Sequence, residues 1–265
     1  MNMITEIGAL VPRTGGRLSV RLARGAAEID AAQALRYDVF YGEMGATPDA
    51  AMRATRRDHD AFDAVAEHLL VVDEAAALPC GVVATYRLID EAAAARIGGF
   101  YSAGEFDLSG LLAGPGRKLE LGRSCVHPAY RGGSAMQLLW RGLAEFVQAR
   151  GIAVMFGCAS LPGNDAAAVA EQLAYLTQSH LAPACMRPVA LAERRVAIAG
   201  GAFDAISARA ALPPLIKGYL RLGGWVGDGA VLDTQFNTID VAVVVRTEAI
   251  TARYARHYAQ EGRAA

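Results

Sequence analysis

Glu120 and Arg123 stand three residues apart in "LELGRSCV", a stretch apolar enough to be buried, shortly upstream of "YRGG". A positioned carboxylate can take a proton from an amine, and a guanidinium can hold a carboxylate by a bidentate contact. Side chains alternate along a regular strand, so this pair would point to opposite faces. One extra residue would bring both to one face, and Gly122 between them is best able to host such a bulge. A bulge also splays the strand and frees backbone N–H groups for an amide or a developing oxyanion. The same spacing fits a structural ion pair or charges on an exposed strand face. "YRGGSA" then offers clustered N–H groups at a helix N-terminus, an anion site without the Lys-Ser/Thr of a P-loop or a GxGxxG series.

The elements that must position these residues follow from periodicity. "RLSVRLA" reads as a short strand, and "AAEIDAAQALRYDVFYGEM" as a helix with Ile29, Ala32, Leu35 and Val39 near helical spacing. "GATPDAAMRATRRDHDAFD" reads as a long polar loop. "EHLLVVD" and "CGVVATYRLI" read as an antiparallel hairpin. The 134–150 segment is a helix, "GIAVMFGCAS" a buried strand, and "NDAAAVAEQLAYLTQSH" a helix capped by Asn164 or Asp165. Beyond lie a helix "LPPLIKGYLRLGG", a turn-rich "GDGAVLDTQFNTID", a strand "VAVVVR" and a terminal helix "TEAITARYARHYAQ". Interspersed strands and helices indicate an α/β or α+β protein. Residues 1–17 read as a loose leader and 18–265 as a single domain, elaborated over about 181–265.

The 265 residues are 53% hydrophobic and 20% charged, enough for a substantial core. Twenty-six basic against 27 acidic residues give nothing that suggests nucleic acid. Cys80, Cys125, Cys158 and Cys185 are far apart without a CxxC pair, so neither a metal site nor a disulfide framework is expected. No secretory signal or bilayer-length apolar run is visible, so a cytoplasmic protein is expected, at most peripheral at the inner face of the membrane.

Strand, bulge, V-x-P-x-Y-R-G, glycine loop and helix resemble the central segment of the GNAT N-acyltransferases. The resemblance implies a mixed, mostly antiparallel sheet flanked by helices, with a pantetheine thioester held beside the splayed strand. Cys125, Val126, Arg131, Gly132 and Gly133 would lie along the donor arm. The family's R-x-x-G-x-G/A series, which wraps the pyrophosphate of coenzyme A, is reduced here to Arg131-Gly-Gly-Ser-Ala. That departure favours 4′-phosphopantetheine on acyl-carrier protein, with no permanently bound cofactor. "LRYDVFYGEM", "DHDAFD", "YRL" and "ELGR" are similar in order to the acyl-homoserine lactone synthases, at Arg36, Phe40, Asp60, Asp63, Arg87, Glu120 and Arg123. "LELGRSCVHPAYR", "LLWRGL", "MFGCASLPG" and the segment from "LPPLIKGYLRLGGW" to "VAVVV" resemble the L-ornithine Nα-acyltransferases of bacterial ornithine-lipid synthesis, from about residue 18 onward. This implies transfer of a 3-hydroxyacyl group from acyl-carrier protein to the α-amine of ornithine.

An α-amine of pKa about 8 is mostly protonated at pH 7, by only about 1.4 kcal/mol, so the base needs placement more than strength. Glu120 is the candidate, with Asp60 and Asp63 to bind the ammonium or hold the base. Arg123, Arg87 and Arg36 would position carboxylates, and Phe40 would line the acceptor's surroundings. Asp228 and Asp233 are candidates for the side-chain ammonium, although Asp in Gly-rich turns is commonly structural. Cys125 and Cys158 read as small core residues, so a covalent acyl-enzyme is not expected. His59 and His68 read as surface or packing residues. Arg53, Arg56 and Arg57, or Arg131, Arg141 and Arg150, form the candidate faces for an acidic carrier protein. "LPPLIKGYLRLGGW" has the content of an interfacial helix and suggests transient membrane contact. Glutamine or lysine as acceptor stays open, as does a non-enzymatic, hemolysin-like membrane-active protein.

Overall fold

A computed structural model describes residues 18–198 and 203–248. The expected leader and all but the first residues of the expected terminal helix lie outside them. In chain order the strands are β1 (Leu18–Leu22), β2 (Glu67–Asp73), β3 (Val82–Asp90), β4 (Phe106–Asp107), β5 (Arg117–Val126), β6 (Ile152–Pro162), β7 (Val189–Ala190), β8 (Trp225–Val226), β9 (Val231–Asp233) and β10 (Thr238–Arg246). The helices are α1 (Ala26–Tyr37), α2 (Ala50–Thr55), α3 (Glu91–Ile97), α4 (Ser109–Ala113), α5 (Ser134–Arg150), α6 (Ala170–His180), α7 (Ala205–Ala211) and α8 (Pro214–Arg221). The pattern is that of a GNAT-like domain, with a mixed, mostly antiparallel sheet and flanking helices.

The chain divides into two compact units. The first takes residues up to Gly99 and then Leu121–Gly151. Its strands run antiparallel, β1 against β2 from Leu18↔Asp73 to Leu22↔Leu69, and β2 against β3 from Glu67↔Leu88. The expected hairpin is therefore present, with a register shift between Val71 and Val72. Alternation sends Leu70 and Val72 toward α1, where Ala31, Ala32, Leu35 and Val39 close a core that includes Cys125. On the other face α5 packs closely: a Cβ at Gly142 would lie 2.6 Å from Val20 Cγ2 and 3.2 Å from Leu69 Cδ1. Only a glycine lets this helix sit so near the sheet.

The polar segment after α1 differs from its expected loop. The expected helix runs on from α1 as a π-helical turn, Asp38–Glu43, and within the expected loop 45–63 α2 begins where Asp49 caps it by accepting the Met52 N–H at 2.7 Å. A short-range side-chain cap outweighed the local Gly and Pro signals.

The second unit takes Phe100–Glu120 and the residues from Ile152 onward. β5 runs parallel to β6 from Arg117↔Ile152 to Glu120↔Phe156, and β10 runs antiparallel to β6 over the whole of Thr238–Arg246. β8 and β9 both pair with β10, and β4 pairs with β7. The strand β9 lies inside the stretch expected to be turn. α6 starts at Ala170, later than the Asn164/Asp165 cap implies, because Asp165 instead closes a turn by accepting the Ala167 N–H.

Gly81, between β2 and β3, has φ +65 and stands where a Cβ would meet Asp73 O at 2.4 Å. Both the left-handed backbone and the contact with main chain exclude a side chain. We expect Gly81→Ala to destabilise the protein by about 2–4 kcal/mol, read from the urea midpoint. Gly42→Ala, where nothing lies within 4 Å, is the control and should stay within about 0.5 kcal/mol of wild type. Equal midpoints would refute this reading of the turn.

Candidate active site

In the first unit, Arg36 of α1 has no exposed surface. Its Nε lies 2.8 Å from Asp58 Oδ2, and it donates to Asp63 at 3.0 and 2.7 Å. A buried guanidinium without such partners would be untenable. Arg87 faces His68 across the β2–β3 pair and donates to Asp60 Oδ1 and, at 3.3 Å, to Asp63 Oδ1. The guanidinium also lies 5.6 Å from the centroid of the Phe62 ring. Arg123 completes the set, donating at 3.1 Å to both Asp58 Oδ2 and Asp60 Oδ2. Three guanidinium groups thus meet three carboxylates.

Local backbone chemistry places the aspartates. Asp60 accepts the Phe62 N–H at 2.9 Å and Asp63 accepts the Asp60 N–H at 3.2 Å, a capping box around the 3-10 turn Ala61–Ala64. The strained backbone of β5 falls at Arg123, with φ 52, rather than at Gly122. Burial alone would raise the Asp63 carboxyl, but Arg36, then Arg87 and His68, hold it well below the ordinary range. Burial also pushes the His68 imidazole down against the opposing pull of Asp63. The structure therefore brings Arg36, Asp60, Asp63, Arg87 and Arg123 together. It adds Asp58 and His68, which the sequence reading left out of the site.

Phe40 packs against the α1 core, and Val126 is buried. Cys125 is buried in that core, and burial pushes its thiol up to about 12, which removes it as a nucleophile at neutral pH. Arg131 donates to Val126 O at 3.0 Å and grips Glu43 with both terminal nitrogens, Nη2 at 2.8 Å from Oε2. Gly132 is left-handed, with φ 76, and Gly133 caps α5 with no side-chain bond, leaving that helix start to the glycine loop. Apart from Arg53, the other candidate docking arginines have local acidic partners: Arg56 has Asp38, Arg57 Asp30, Arg141 Glu145 and Arg150 Glu67. Arg53 reaches the Pro48 carbonyl at 3.2 Å.

In the second unit, Glu120 is 2% exposed. It accepts the N–H groups of Tyr101 and Ser102 at 2.7 and 2.6 Å, and also the Ser102 hydroxyl. From Ser102 a polar chain continues to Cys158 Sγ at 3.3 Å and on to Glu105 Oε2 at 3.1 Å. Ligating atoms of Glu105, Cys158 and Asp240 all lie within 4.8 Å of one another. Burial, then the Asp240 and Asp233 charges, pushes the Glu105 carboxyl up to about 7, only partly opposed by Cys158 and Arg194. Burial and the Glu105 charge likewise raise the Cys158 thiol. The cluster thus gains proton affinity toward neutral pH, and nothing in the sequence around Glu105 marks it. Asp228 is paired to Arg195, and Asp233 accepts the Gln235 and Phe236 N–H groups at 2.8 and 2.9 Å, so both anchor turns.

Removing one carboxylate from the first network leaves two buried guanidinium groups short of charge. Asp63→Asn should therefore cost about 3–5 kcal/mol in denaturant unfolding, whereas a loss under about 1 kcal/mol would show the network to be dispensable. Glu105 has the opposite signature. Its proton is held to about 7 in the folded state against an ordinary 4.5, so the folded state binds more protons between those values. The stability this contributes is full below pH 4.5 and is lost as pH rises through about 7. Relative to Glu105→Gln, wild type should lose up to about 3 kcal/mol across that window. Parallel pH–stability curves for the two proteins would overturn it.

Residues 35–141 match the family model described as "Acetyltransferase (GNAT) domain". The chain is 46% identical over 251 residues to the "L-ornithine N(alpha)-acyltransferase" of Rhodobacter capsulatus, covering 92% of this chain and 96% of that protein. The protein of the same name from Agrobacterium fabrum is 44% identical over 253 residues, 93% of this chain and 86% of its own. Among solved structures, FeeM, an N-acyl amino acid synthase from uncultured soil microbes, superposes with a TM-score of 0.51 at 12% identity, over 87% of this chain and 91% of that one. That likeness concerns the fold alone. On the identity and coverage of these relatives, the chain belongs to the L-ornithine N(alpha)-acyltransferase family of N-acyltransferases.

Proposed function

We propose that this chain transfers a 3-hydroxyacyl group from acyl-carrier protein to the α-amine of L-ornithine, forming lyso-ornithine lipid. The observation that carries the acceptor is the 46% identity sustained over 92% of the chain with a relative of that activity. Support for the donor comes from the loop before α5, where the glycine series is short and the Arg131 guanidinium is already occupied by Glu43 and Val126 O. A pyrophosphate would find little to hold it there, and a carrier-bound arm has none.

In this reading the ammonium gives a proton to Glu120, directly or through one water, and the free amine attacks the thioester carbonyl. The C–N bond forms, the C–S bond breaks, and the pantetheine thiolate leaves and is protonated, so one proton passes net to solvent. The Tyr101 and Ser102 N–H groups fix the orientation of the Glu120 carboxylate. Asp58 and Asp60 fix Arg123 as a positioning residue. Asp60, at 21% side-chain exposure, is the carboxylate of that network most open to a solvent-borne amine. The high thiol pKa of Cys125 speaks for direct attack over an acyl-enzyme.

Mass spectrometry of products from 3-hydroxyacyl carrier protein with ornithine, lysine and glutamine tests the assignment. We expect the ornithine amide to dominate, the coenzyme A ester to be a poor donor, and Glu120→Gln to lose about 10²–10⁴ in turnover while staying folded. A dominant lysine or glutamine product overturns the acceptor, and equal rates with coenzyme A overturn the donor. Near-normal turnover by the variant moves the base elsewhere, with Asp60 next in line.

A further inference from the structure

Arg36, Arg87, Arg123 and Arg131 of the first unit meet carboxylates, but three clustered cations of the second do not. Arg209 of α7 and Lys217 and Arg221 of α8 line an open pocket of about 490 Å³ together with Tyr175 and Ile206. Among the described residues none of the three has a carboxylate partner, and Lys217 spends one donor on the Ala210 carbonyl at 2.6 Å. Helix α8 turns Ile216 and Tyr219 into the core and keeps Lys217 and Arg221, one turn apart, at the pocket. The nearest acid in sequence, Asp204, is committed to capping α7 through the Ile206 and Ser207 N–H groups and the Ser207 hydroxyl. Beside the cations stands Ile206, 81% exposed, against 49% for Met44 and 38% for Leu112, the other exposed large hydrophobics described.

A side chain this apolar left in water beside uncancelled positive charge fits a surface that is anionic outside and apolar just beneath. We propose that the pocket and its Ile206 rim dock onto an anionic lipid bilayer. The purpose of such docking rests on the proposed reading, in which the product is an amphiphile, but the binding itself requires no turnover. Each basic residue near an anionic leaflet contributes about fivefold in affinity, so three give about a hundredfold. Insertion of one isoleucine adds to this without approaching permanent anchorage. The contact is transient, suited to an enzyme whose donor and acceptor arrive from water. No described helix is long and apolar enough to cross a membrane.

The test is co-sedimentation of the full chain with vesicles of phosphatidylcholine, with and without 30 mol% (about one lipid in three) phosphatidylglycerol, at low and high salt. We expect binding to the anionic vesicles only, weakened by salt. It should fall about a hundredfold in Arg209→Gln/Lys217→Gln/Arg221→Gln and clearly in Ile206→Asp, with turnover on soluble substrates unchanged. Because Lys217 also bonds to main chain, Arg209→Gln/Arg221→Gln is the variant of record if the triple one unfolds, with an expected loss of about 25-fold. The proposal is overturned if wild type ignores anionic vesicles or if the variants bind them as wild type does. A rise in the KM for carrier-bound donor with vesicle binding intact would also overturn it, assigning the pocket to the acidic carrier protein. Loss of ornithine acylation as an activity, with vesicle binding retained, would instead sink the proposed function and leave the docking surface standing.

Discussion

A guanidinium with no exposed surface, that of Arg36, is the constraint from which the first unit takes its form. Its donors must all be met inside the protein, and its charge must be cancelled there. Asp58 and Asp63 cancel the charge, and Asp63 with the Asp58 carbonyl accepts from the terminal nitrogens. Nε lies against Asp58 without a well-formed hydrogen bond. None of this could be held on a free loop. The capping box around Ala61–Ala64 fixes Asp60 and Asp63, and the Tyr41 hydroxyl at 3.0 Å helps fix Asp58. Arg87 and Arg123 then enter as the charges that balance those aspartates. An otherwise polar segment is thereby tied to α1, β3 and β5 by ion pairs and hydrogen bonds.

The second unit faces the inverse problem. Glu105, Asp240 and Asp233 are all buried, and Arg194 is the cation that opposes their mutual repulsion at Glu105. Too few positive charges are at hand for a network like that of Arg36, so the cluster balances itself by holding a proton. Both solutions obey one rule, that a buried charge is either paired or neutralised, and composition decides which. With little positive charge beside it among the described residues, the Glu105 carboxyl takes up a proton in a range where the Asp63 carboxyl, held down by Arg36, does not.

The fold was legible where periodicity carries it. The β2–β3 hairpin, the helix at 134–150 and the buried strand β6 follow from alternation and helical spacing alone. What was not legible depends on contacts between distant residues. Asp58 looks like one acid among several in "RRDHDAFD", and His68 like one residue of a strand, until Arg36 and Arg87 arrive from elsewhere in the chain. Ser102 and Glu105 sit in a stretch with mixed signals, and only burial beside Cys158 gives them a role. The left-handed residue in β5 is Arg123, a position no propensity would choose over the glycine before it. Its side chain is held there by Asp58 and Asp60, contacts that come from elsewhere in the chain.

Charge illustrates the same limit most sharply. The sequence suggests docking faces wherever arginines cluster, at 53–57 and again at 131–150, because it shows which cations are near one another. It does not show which anions the fold will bring to them, and Asp30, Asp38, Glu43 and Glu67 arrive from 18 to 88 positions away. A cation already paired with a neighbour has little field left for a partner, since the two charges act on it as a dipole. Arg209, Lys217 and Arg221 look unremarkable by spacing, yet they keep their full charge among the described residues. The informative quantity for an electrostatic surface is therefore the charge left after folding, and only a three-dimensional account of each ion pair supplies it.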